Sequence, residues 1–309
     1  MLKSLKLAVW CRPRREIIGD MQVAGFDEVL NRLAPLDPWL TSLGVPIKSD
    51  RWHEAVKAVK LAKDRRTVID GGGQFRAMDE YAHASSLFDA IEIIQILEAF
   101  YADATQSLRE KVMRASRGCF VPAEEKIENS SARNAMFELA LASRWKSLGL
   151  QVELGEPDIQ LHIGNTRFLV ECKRPFEMRS VPSNIEDANS QLGRELDKPE
   201  NAEAFGMIAI SLSRAFTRGD LTCFAPEQEG RPFVEATLAE TIANNKDAWR
   251  LQQPDFFHER VVAVMFDLVV PWDMNGTRLV HVAMGNFWQV GPDSRGWQVL
   301  SNCRALAKM

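Results

Sequence analysis

The chain has 309 residues, 46% of them hydrophobic and 26% charged, with a formal net charge of −4. That length accommodates two domains and a sizeable core, and the balance is ordinary for a globular protein. The longest apolar run, Val261 to Trp272, is broken by Asp267 and falls short of a membrane span, and the first residues carry too short an apolar stretch for a signal peptide. The five scattered cysteines, Cys11, Cys119, Cys172, Cys223 and Cys303, show no CxxC or Cys/His spacing. The expectation is reduced thiols in a cytosol, hence a cytoplasmic protein with no membrane partner.

Residues 1–125 read as a mainly helical region. Lys57, Lys60, Lys63, Arg65 and Arg66 crowd one segment, and Arg109, Lys111, Arg114 and Arg117 another. Each is either a solvated helix face or a patch for an anionic partner. Between them, Gly71-Gly72-Gly73 is a loop or hinge that lacks the lysine spacing of a phosphate-binding P-loop. Over residues 84–116, Leu87, Ile91, Ile94, Leu97, Tyr101, Ala104, Leu108 and Val112 recur in steps of three and four, the stripe of an amphipathic helix. The stripe is too long for an average helix. A break within it, packing against the rest of the chain and a coiled-coil homodimer all stay open.

Residues 131–148 again have helical periodicity, with Phe137, Leu141, Trp145 and Leu148 spaced by four, four and three. Ser130 or Ser131 can cap the start, and Gly149 stops the helix. Glu138 lies at the edge of the apolar stripe, beside Leu141, Ala142 and Trp145. An isolated carboxylate is costly to bury unless it is paired or binds a metal. Glu138 is therefore either a ligand or a boundary residue that reaches water or Arg133.

A strand near 150–154 follows, then strands at 158–163 and 166–173 joined by Gly164-Asn165, a two-residue hairpin signal. That turn places Ile163 opposite Thr166, Leu161 opposite Phe168, Ile159 opposite Val170, and so Asp158 opposite Glu171. The first three pairs make an apolar face, and a one-residue slip would carry acids into the core. The opposite face bears Asp158, Glu171 and, two residues on, Lys173. Facing Cβ atoms are about 5 Å apart, and like charges so placed destabilise each other. Two carboxylates beside a lysine call for a divalent cation, unless this is an ordinary surface hairpin with its charges in water. Cys172 falls on the apolar face, where a buried structural thiol is expected. A helix over 184–197, with Ser183 and Glu186 in capping-box spacing, leads to a buried strand over 206–213. Beyond it lie a helical stretch at 233–250 and two strands, 261–270 and 278–287, joined through Asn275-Gly276.

A helix bearing Glu138, then Pro157-Asp158, then Glu171-Cys172-Lys173, resembles the PD-(D/E)XK nuclease superfamily over roughly residues 130–215. The resemblance implies an α/β, restriction-endonuclease-like fold, a mixed central sheet flanked by helices over 126–309, beside the mainly helical region 1–125. It implies Glu138, Asp158 and Glu171 as catalytic acids and metal ligands, with Lys173 as the catalytic lysine. Gln191 matches a glutamine that some members carry on the second helix, without the aromatic residue that often follows it. The implied activity is that of a Mg2+-dependent endodeoxyribonuclease, with Mn2+ able to substitute and DNA as the foremost partner. Prokaryotic restriction or genome defence is the implied setting.

Magnesium suits such a site because it prefers hard oxygen ligands and holds several waters besides a few carboxylates. A catalytically silent nucleic-acid-binding or scaffold protein of the same fold, and a ribonuclease, are the alternatives. The overall charge of −4 runs against binding a polyanion. Residues 1–120, however, carry +2 and the remainder −6. Lys57, Lys60 and Lys63 are therefore candidate substrate contacts, with the chemistry confined to residues beyond about 125.

Overall fold

The computed structural model describes residues 26–46, 51–70, 77–118, 125–217, 230–274, 278–291, 295–303 and 306. Six strands lie side by side in chain order: β1 (Gln151–Leu154), β2 (Ile159–Ile163), β3 (Thr166–Lys173), β4 (Phe205–Ser211), β5 (Val261–Met274) and β6 (Arg278–Gln289). β1, β2 and β3 pair antiparallel, whereas β3, β4 and β5 pair parallel. Parallel neighbours need a long crossover; α7 (Val181–Leu196) lies in the first connection, and α8 (Ser213–Thr217) and α9 (Gly230–Asn245) lie in the second. The protein is thus α/β, with a mixed six-stranded sheet flanked by helices.

The hairpin has the register that its apolar pattern requires. Ile159 faces Val170, Leu161 faces Phe168 and Ile163 faces Thr166. Gly164 opens the turn at φ +58°, a left-handed value that glycine adopts without a Cβ clash. Ile159, Leu161, Phe168 and Val170 are fully buried, whereas Gln160, His162 and Arg167 are half-buried. Leu169 is the exception on the polar face, since it is also fully buried. It lies beside Gly206 of β4, where a Cβ would stand 3.0 Å from Leu196 and 3.5 Å from Leu192. Helix α7 therefore covers this face, and its Ile185, Ala188, Leu192 and Leu196 are fully buried.

The opposite face belongs to α6 (Ser131–Ser147), which ends before Gly149 at φ +81°. Its Arg144 pairs at 2.8 Å with Asp267 of β5, and both side chains are buried. Asp267 neighbours Ser211, which places it on the face of Cys172. β5 runs through Asp267, as expected, and on to Met274, beyond the expected end at 270. Helix α7 begins at Val181, ahead of the expected 184, because Pro182 fits the first turn. Ser183 consequently lies inside the helix and donates to the Ser180 carbonyl at 3.0 Å, so the Ser183–Glu186 capping box does not form.

The preceding helices are α1 (Phe26–Leu33), α2 (Leu36–Ser42), α3 (Arg51–Asp70), α4 (Ala77–Phe100) and α5 (Gln106–Ala115). The long stripe breaks between α4 and α5, where Tyr101 is 55% exposed and Ala104 is exposed, contrary to their place in the periodic pattern. Thr105 ends the break by accepting the Leu108 amide at 3.2 Å, an N-cap that restarts the helix. Ile94 and Leu97 are buried, and α4 packs against α1 and α3. Trp39 and Trp52 stack at 6.1 Å. Burial alone would raise the Asp89 carboxyl, but Arg51 at 2.8 Å and Arg133 at 3.3 Å outweigh it and hold it below its usual value.

The chain divides into two compact units, one of residues 1–135, 219–234 and 270–282, the other of residues 136–218, 235–269 and 283–309. Gly71-Gly72-Gly73 and the Asn275-Gly276 connection lie outside the described residues. Among the described residues no helix is long and apolar enough to cross a membrane.

Candidate active site

Asp158 lies one residue before β2, just past the last ladder pair, Ile159 with Val170. Its Oδ2 accepts the Cys172 amide at 2.9 Å. This bond ties the carboxylate to the end of β3, between Glu171 and Lys173 in sequence. Those two residues alternate with buried Val170 and Cys172 and so share the polar face. Lys173 Nζ donates to Glu171 Oε1 at 2.9 Å and to Gln191 Oε1 of α7 at 2.5 Å. A pocket of about 320 Å³ lies here, lined by Asp158, Glu171, Lys173 and Gln191, with Glu156, Pro157, Arg194 and Glu195 completing the wall.

Glu138 is buried, at 6% exposure, on α6. It does not line the pocket, yet its negative charge is felt by Glu171. The Glu171 carboxyl is raised to about 7, first by burial, then by the Asp158 charge, with Lys173 opposing and Glu138 adding a smaller push. Like charges gathered in a partly desolvated site disfavour the anion. A cation bound beside Glu171 would relieve that cost.

Among the described residues, no three His, Cys, Asp or Glu side chains are gathered closely enough to hold a metal ion by themselves. An all-protein cage is not what Mg2+ demands, since one or two carboxylates, waters and a substrate phosphate suffice. Asp158 and Glu171 in one pocket fit that donor set, with hard oxygens and surplus negative charge.

The structure thus brings together Asp158, Glu171, Lys173 and Gln191, with Glu138 near enough to act on Glu171 electrostatically. Lys57, Lys60 and Lys63 belong to α3 in the other unit. Lys57 pairs with Glu54 at 2.6 Å, Lys63 pairs with Asp27, and Lys60 is exposed. In the second basic segment Lys111 is buried and Arg109 donates to the Gly44 carbonyl at 3.3 Å. That segment is therefore not a uniformly exposed basic face. The pocket residues that sequence reasoning passed over are Glu156, Arg194 and Glu195. A helical step of three from Gln191 was the one signal for Arg194.

No family model, curated protein or solved structure matches the chain. The functional reading rests on the side chains and their geometry.

Proposed function

We propose that this chain is a metal-dependent nuclease of the PD-(D/E)XK kind, hydrolysing phosphodiester bonds in DNA. One observation carries the reading: two carboxylates, a lysine and a glutamine, from β3, α7 and the residue just ahead of β2, converge on one pocket, where burial and like charge hold Glu171 up to about 7. A merely solvated hairpin would leave these charges apart and wet. Asp158 and Glu171 are the residues that would hold Mg2+, with the charge of Glu138 adding to the pull. When bound, the ion would stabilise charge on the scissile phosphate and acidify a bound water.

Hydrolysis forms a bond from a water oxygen to phosphorus and breaks a phosphorus–oxygen ester bond. The water gives up a proton and the departing oxygen gains one. An ammonium has three donors, and those of Lys173 include the bonds to Glu171 and Gln191. The third serves a phosphoryl oxygen or orients the attacking water. Gln191 holds the lysine ammonium from α7, so Lys173 does not have to be ordered anew when substrate arrives.

The test is a cleavage assay with labelled duplex DNA, single-stranded DNA and RNA, each with Mg2+, Mn2+ or chelator. We expect cleavage of DNA that needs the metal and stops in chelator. Cleavage of RNA alone would replace the reading by a ribonuclease of the same chemistry. No cleavage of any polymer with either metal would overturn it.

A further inference from the structure

Arg194 stands out in the pocket wall because it is a cation on the rim of an acidic site. It lies three residues beyond Gln191 on α7, so both side chains share one side of the helix. Leu192 and Leu196, on either side of it in sequence, are fully buried. The helix is therefore fixed in rotation, and Arg194 is held at the pocket rim.

An arginine beside carboxylates ordinarily pairs with one of them. Among the described residues Arg194 makes no hydrogen bond or ion pair, and its side chain is exposed. Two acids of the wall, Glu195 and Glu156, act on a different cation. Glu195 binds Lys198 at 2.7 Å. Glu195, Glu200 and Glu156 all help to hold the Lys198 ammonium above its usual value, the hydrogen bond it donates to Glu195 being the largest cause. Arg194 is left with a forked set of donors beside the site, the geometry that suits a phosphate.

We propose that Arg194 grips a backbone phosphate of the DNA strand next to the scissile one, as a substrate-binding residue of this site. The inference rests on the nuclease reading, and it adds a contact that divides the work: Lys173 serves the reacting phosphate, Arg194 its neighbour. An exposed arginine that only solvates a helix would leave substrate affinity and its salt dependence untouched.

The experiment measures steady-state cleavage of a fluorescein-labelled DNA duplex in Mg2+ by the full chain, as wild type, Arg194→Ala and Arg194→Lys, over a range of salt. For Arg194→Ala we expect KM to rise about tenfold while kcat moves far less, as for loss of a charged hydrogen bond to bound substrate. The slope of log affinity against log salt should become shallower by about one. Arg194→Lys should recover part of KM, since it restores the charge but not the fork, and the melting midpoints of all three should agree. Unchanged KM and salt slope in Arg194→Ala, or a fall confined to kcat, overturns the assignment to Arg194 while leaving the nuclease reading in place. A wild type that fails to cut the duplex overturns the nuclease reading, and the role of Arg194 falls with it.

Discussion

Glu171 is the side chain on which the site's electrostatics converge. Burial and the Asp158 charge raise it to about 7 from an ordinary value of 4.5. Between those values the unfolded chain releases its proton before the folded one does. The folded state is therefore favoured fully below about 4.5 and loses that advantage as pH rises through about 7, a loss of about 2–3 kcal/mol. In chelator, urea denaturation at pH 4.5 and 7.5 should show wild type losing about that much more stability than Glu171→Gln. Equal losses would mean that Glu171 titrates normally. Asp158 acts at two levels, since its charge repels Glu171 while its Oδ2 satisfies the Cys172 amide. Asp158→Asn retains an acceptor and removes the charge, so without metal it should melt above wild type at pH 7.5 and should not cleave. Asp158→Ala also strands the amide, at about 1–3 kcal/mol, which offsets the gain. The register of Ile159 with Val170 made this pair readable from sequence. Arg194 had only its helical step from Gln191 to mark it, because one arginine on an amphipathic helix has no pattern of its own.

At the level of elements, the site depends on how closely α7 approaches the sheet. Gly206 of β4 permits this, since a Cβ there would meet Val261 at 2.9 Å and Leu196 at 3.0 Å. Gly206→Ala must push aside the Val261 and Leu196 side chains that pin α7 to the sheet, and overpacking of this kind costs about 1–3 kcal/mol. It should also lower cleavage, because α7 carries Gln191 to Lys173. A variant with reduced stability in urea and a wild-type rate would uncouple the helix from the chemistry. The strands were legible because turn chemistry and alternation agree at Gly164-Asn165 and along β3. Helix ends were less so. Pro182 starts α7 ahead of the Ser183 signal, and the stripe over 84–116 continues in sequence across a break where Tyr101 faces solvent. Periodicity records which residues are apolar, and local capping at Thr105 decides where the chain turns.

For the whole molecule, the division into units follows contacts that no local pattern encodes, with residues 270–282 grouped with the N-terminal part of the chain. The same holds for Asp267, which breaks an apolar run in sequence yet sits fully buried against Arg144, 123 positions earlier in the chain. Net charge is a property of this scale too: residues 1–120 are positive and the remainder negative, so help with a polyanion should come from the first part. Exposed ion pairs such as Lys57 with Glu54 are weak, and their disruption costs little. Replacing Lys57, Lys60 and Lys63 together by glutamate should weaken DNA binding and flatten its salt dependence, with the metal response unchanged. Undiminished affinity would mean that these lysines take no part in holding the substrate. Whether this pocket cleaves DNA is decided by the single-turnover rate on a duplex in Mg2+ of wild type, Glu171→Gln and Lys173→Met, with folding verified by circular dichroism. We expect both variants to be folded and slower by about 10² to 10⁴, and wild type to stop in chelator. Wild-type rates from either variant would contradict the assignment of this pocket as the active site.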